Sequence, residues 1–149
     1  MPSKRHEWLT RIKAVEREYK SIHYATVFLR DAVADNPSSL KGELRVRDLD
    51  EASRNLEGTY IIRLFSEFET CLRAFWMVAY GQPPTRTRDL LDGVGARRII
   101  PFDQINNAHR VREFRNSLVH ARNANVEPIP IDRARSILCH YSARLPIDW

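Results

Sequence analysis

Glycine is scarce in this chain, five residues in 149, and cysteine scarcer still, at two. No apolar stretch approaches the roughly 20 residues that a membrane-crossing helix requires, and almost nothing alternates with the period of two expected of a half-buried strand. Each shortage removes a class of answer. Cys71 and Cys139 lie far apart, outside any CxxC or Cys/His spacing, so neither a disulfide scaffold nor a zinc site is expected and both read as free buried thiols of a reducing compartment. Gly93-Val94-Gly95 lacks the strand-turn-helix setting and the lysine that give a phosphate loop its meaning. His6, His23 and His140 have no partner at metal-ligand spacing and no nucleophilic triad is recognisable, so neither a metal nor any other cofactor is expected. Lys4 and Arg5 lead into polar helical sequence where a secretory leader would be apolar, and a cytoplasmic protein is the expectation.

What is present fits one domain spanning residues 1–149, large enough to bury a core without staples. Hydrophobic residues make up 43% and charged residues 29%, which is ordinary for a globular chain. The excess of 24 Lys+Arg over 19 Asp+Glu gives a net charge of +5, a modest pointer toward an anionic partner such as RNA.

The patterning is helical throughout. From about His6 to Ala34, Trp8, Ile12, Val15, Tyr19, Ile22, Leu29 and Val33 recur at three- and four-residue steps, and Asp35-Asn36-Pro37-Ser38-Ser39 ends the run. Residues 40–52 are polar and ambiguous, an irregular connection or a short extended piece around Leu44, Val46 and Leu49. From about Ser53 to Tyr80, Ile61, Phe65, Phe68, Leu72, Phe75, Trp76 and Ala79 form one wide apolar face, the mark of a central core helix. Gly81-Gln82-Pro83-Pro84 stops it, and a looser stretch with Leu90, Leu91, Val94, Ile99 and Ile100 holds one short helix. Pro101 and Asp103 open a helix to about Asn123, with Asp103 as its N-cap. Glu127-Pro128-Ile129-Pro130 is a connection, and Asp132 helps start a last helix whose face is Ile131, Ala134, Leu138, Tyr141 and Leu145. The expected fold is an all-α bundle of four or five helices.

Within the fourth of these segments, Arg115-Asn116-Ser117-Leu118-Val119-His120 gathers cationic, amide and imidazole groups that packing does not require. At about 100° per residue, Val111, Phe114, Leu118 and Ala121 share the core side, while His109, Arg112, Asn116, His120 and Asn123 fall within about 80° of one another on the far side. Arg115 projects about 140° from His120, at the edge of the apolar face. Two roles are open for it: pairing with a carboxylate on the neighbouring helix, for which Glu69 is better placed than the solvent-facing Glu67, or receiving a phosphate. An Arg oriented by Glu69 could do both.

The phrase FRNSLVHARN, on the penultimate long helix of a small bundle, resembles the HEPN superfamily, whose ribonuclease motif is Arg, four to six residues, then His, often with a polar residue after the Arg. FSEFETCLRAFW is similar to that family's acidic core helix, and the likeness covers about residues 55–145. The resemblance implies a HEPN-like fold and a metal-independent endoribonuclease leaving 2′,3′-cyclic phosphate ends, of a bacterial defence or toxin–antitoxin type. It implies Arg115 and His120 as catalytic residues, Asn116 as polar helper and Glu69 as supporting carboxylate. It further implies a homodimer in which two motif helices face each other, with an antitoxin or other protein as a further partner. Arg112, Arg122 and His109 are candidate RNA contacts beside them. One toxin subgroup carries Tyr where this chain has Arg122, which separates the chain from that subgroup's pattern. The rival expectation is a noncatalytic module of the same fold that binds RNA, a nucleotide or a protein.

Overall fold

In a computed structural model, which describes residues 1–120 and 125–149, the chain folds into five α-helices with no strand among the described residues. They are α1 (Lys4–Asp35), α2 (Val46–Tyr80), α3 (Thr87–Arg97), α4 (Phe102–His120) and α5 (Ile131–Ser142), with a short 3-10 turn at Pro37–Ser39. None of the described helices is long and apolar enough to cross a membrane. The all-α bundle anticipated from the periodicity is what forms.

The ends of the helices follow from local chemistry. Ser3 caps α1 by accepting from the His6 amide at 3.2 Å, and Asn36 closes it by donating its amide to the Ala32 carbonyl. The 40–52 stretch that the sequence leaves ambiguous is helical from Val46, because the Asp48 carboxylate reaches back to the Arg45 amide at 3.0 Å and satisfies an exposed donor of the first turn. Phe102 begins α4, so Asp103 sits inside its first turn, complementing the macrodipole, rather than at the cap. The start of α5 is secured from a distance, the Ile131 amide donating to the Glu57 carboxylate of α2 at 2.8 Å.

Every other helix packs against α2. The core lies along its second half, where Ile61, Leu64, Phe65, Phe68, Leu72, Phe75 and Trp76 are buried against Ile12 and Val15 of α1, Leu90, Leu91 and Val94 of α3, Ala108 and Val111 of α4, and Ala134, Leu138 and Tyr141 of α5. Burying each such side chain contributes about 1.5–3 kcal/mol. Ala79, expected on this face, is exposed at the end of α2.

The core does not extend along the first half of α2. Residues 46–60 contain no buried side chain, and in the second half of α1 only Val33 is buried. These two segments form a two-helix arm, which explains why Ile22 and Leu29, read as core from their spacing, are exposed: they have only one helix to pack against. At the opposite end the C-terminal residues clasp α1 and α2, with the Arg5 guanidinium of α1 donating to the Ala143 and Leu145 carbonyls and Trp149 packing edge-on against Phe75 of α2 at 5.5 Å.

Candidate functional site

The helix that carries the motif, α4, packs on α2, α3 and α5. Its buried residues are Ala108 and Val111, so the inward face is turned toward Ala108 and away from Phe114 and Leu118, which are half-buried and exposed respectively. Arg115 projects between Ala108 and Val111 on the helical wheel, and the rotation carries it from the edge of the apolar face onto the covered side. Its guanidinium carbon lies 5.8 Å from the centroid of the Phe65 ring, within cation–π range, and Nη1 donates to Asn116 Oδ1 at 3.0 Å. Its Nε is buried and finds no hydrogen-bond acceptor among the described residues. Arg115 and its neighbour Asn116 are hydrogen-bonded to each other, and Phe65 is the platform that sequence reasoning did not identify.

Glu69 is engaged elsewhere. Its Oε1 accepts from Arg73 Nη2 at 2.8 Å and from Thr87 Oγ1 at 2.7 Å, while Arg73 also donates to the Pro84 and Thr85 carbonyls. These bonds tie α2 to the turn that begins α3, one helical turn along from the position that faces Arg115, and Glu69 makes no hydrogen bond to Arg115. The expected Arg115–Glu69 pair is replaced by an intrahelical Arg73–Glu69 pair, favoured because i and i+4 side chains already lie side by side. Glu67 does not face solvent either; it is half-buried and pairs with Arg11 of α1 at 3.2 Å.

The polar stripe divides. His109 and Arg112 were expected to be displayed away from the core, but their side chains are only 16% and 18% exposed. Packing of α3 against α4 covers them. His109 Nε2 meets Asp92 Oδ1 at 2.6 Å, and Arg112 Nε donates to His109 Nδ1 at 3.3 Å, so the hydrogen-bonding positions of this imidazole are both occupied. With Nδ1 accepting, the proton of the neutral ring lies on Nε2, facing the Asp92 carboxylate. His109 and Arg112 act as a clasp between α3 and α4 and are removed from the list of free RNA contacts. Asp92 was the missing clue, and nothing in its own neighbourhood of sequence marks it.

His120 remains displayed. It is exposed on the last turn of α4, five residues and about 7.5 Å of helix rise beyond Arg115, and makes no hydrogen bond or ion pair among the described residues. Arg122, and the expected continuation of the helix to Asn123, lie outside the described residues. Beside this turn an open groove of about 460 Å³ runs between α2 and α4, with Arg54, Asn55 and Thr59 on its polar side and Phe114, Leu118 and Pro128 on its apolar side. Gly58 lets the helices close there, since a Cβ at that position would stand 3.2 Å from a Leu118 methyl.

The exposed imidazole of His120, the Arg115 guanidinium held by Asn116 and Phe65, and the groove are separate features, since neither Arg115 nor His120 lines the groove. Compared with protein-family models, with curated proteins and with solved structures, this chain matches none.

Proposed function

We propose that the protein is a HEPN-type, metal-independent endoribonuclease that acts in the cytoplasm as a homodimer, in a defence or toxin–antitoxin setting. The observation that carries this reading is the ordered Arg115, fixed by Phe65 and Asn116 with its Nε unpartnered, on the same helix as an exposed His120 at the spacing of the HEPN ribonuclease motif. In the proposed reaction His120 takes the proton of an RNA 2′-hydroxyl, the 2′-oxygen bonds to phosphorus, and the bond to the 5′-oxygen breaks. The leaving oxygen takes up a proton, and a 2′,3′-cyclic phosphate remains. Arg115 neutralises the charge that accumulates on the phosphoryl oxygens. A second α4 brought up by the partner chain supplies a second His120, so that one imidazole serves as base and the other as acid.

A noncatalytic reading is favoured by one feature: Arg115 and His120 project about 140° apart on α4 and do not touch, so within one chain they form no catalytic pair. Incubating the purified protein with a labelled oligoribonucleotide in EDTA distinguishes the two. The nuclease reading expects cyclic phosphate ends, no cutting of the same strand made as DNA, and a loss of at least about 100-fold in rate for both His120→Ala and Arg115→Ala. It also expects a bell-shaped pH–rate profile. RNA binding without cleavage, surviving both substitutions, supports the module; cleavage that survives His120→Ala overturns the catalytic assignment. Because His120 is exposed, its replacement leaves the fold intact.

A further inference from the structure

The most exposed aromatic residues of α1 lie on its outward side. Tyr24 is 75% and Phe28 70% exposed, on the face of the helix opposite the buried Ile12, Val15 and Val33. At about 100° per residue, Arg17, Lys20, Tyr24, Phe28, Asp31 and Asp35 fall within about 80° of one another, a single outward stripe about 27 Å long. An isolated exposed aromatic needs no explanation; two one turn apart on the same face, bracketed by charge, mark a contact surface.

The order of charges along the stripe is what identifies the occupant. Both basic groups precede the aromatic pair and both acidic groups follow it. We propose that this stripe is a self-association surface on which a second copy of the chain lies antiparallel. A twofold axis near Thr26 sets Tyr24 against the second copy's Phe28, Lys20 against its Asp31 and Arg17 against its Asp35, and each contact occurs twice. A parallel pairing would oppose like charges instead. Arg17, Asp31 and Asp35 make no ion pair among the described residues, and Lys20, although bonded to Glu16 at 2.7 Å, keeps 64% of its side chain exposed. RNA does not fit this stripe, because Asp31 and Asp35 would repel phosphates along half its length. The surface is independent of the nuclease reading: α1 packs on α2 and α5, so pairing through it leaves the last turn of α4 open.

Sedimentation equilibrium at about 100 µM protein tests it, where an interface of one helix stripe should already be populated. Self-association that Phe28→Glu weakens at least about tenfold is expected of the wild-type chain, whether or not the α4 dimer of the nuclease reading also forms. Arg17→Asp/Lys20→Asp and Asp31→Lys/Asp35→Lys are each expected to weaken it as well, while a mixture of those two variants forms a mixed dimer. All five positions are exposed, and retained helical circular dichroism identifies each variant as folded. A monomeric wild type, an unchanged mass for Phe28→Glu, or no recovery on mixing overturns the proposal. RNA cleavage is read separately, so failure of this interface and failure of the nuclease reading give different results.

Discussion

Glu16 is a carboxylate buried between α1 and α5, its side chain 7% exposed, with Arg135 and Lys20 both bonded to it. Burial penalises its charge, but the hydrogen bonds from Lys20 and Arg135 outweigh that penalty and hold the carboxyl below the usual carboxylate range. The folded state thus binds this proton less readily than the unfolded chain. The resulting stability is complete above the unfolded carboxylate value of about 4.3 and is lost as pH falls through the folded one. Glu16→Gln should cost about 2 kcal/mol near neutral pH and show a shallower loss between about pH 5 and pH 3; urea unfolding at both ends of that interval measures it. Cys71 gives a second outcome at this scale. Burial pushes its thiol up to about 12, and burial raises Cys139 as well. A thiol reagent at mildly alkaline pH should label neither quickly in the native protein and both in urea.

Among the helices, the end of α3 carries strain that can be relieved. Ile99 adopts φ 51°, a left-handed conformation that a β-branched side chain resists, while the Ile100 amide bonds back to the Gly95 carbonyl at 2.9 Å. Its side chain is exposed, so Ile99→Gly loses little packing and should raise stability by about 1 kcal/mol, read as a higher thermal midpoint. Gly93 is the opposite case. A Cβ there would meet the Trp76 ring at 2.8 Å, and that ring is held by Nε1 donating to the Gln82 carbonyl and by the Arg97 guanidinium 4.4 Å away. Gly93→Ala should cost about 1–3 kcal/mol in a urea titration. The helices themselves were legible because Ile61, Phe65, Phe68 and Leu72 repeat over many turns. The facing of α4 was not. Its inward side is marked by Ala108, too small to register as a hydrophobic signal, and the error placed Arg115 at an edge and His109 in solvent. The start of α2 was hidden for a related reason, since a cap made by Asp48 reaching back to a backbone amide leaves no distinctive residue at Arg45.

Seen whole, the molecule has a hub and an overhang. A well-packed half of α2 gathers all the other helices, and the arm formed by the far halves of α1 and α2 buries only Val33. The motif residues were readable one by one, but their partners were not: Phe65 and Asp92 come from other helices, so only the packing of the bundle decides that Arg115 and His109 meet them, and Glu69 is taken by its own helix neighbour Arg73. The arm has a consequence for how the chain breathes. Amide protons of residues 22–35 and 46–57 should trade for deuterium well ahead of those of residues 61–76, because separating two helices uncovers far less apolar surface than dismantling the hub. If the outward stripe of α1 takes up a second chain, that trade becomes slower as protein concentration rises, while the rates in residues 61–76 stay where they were.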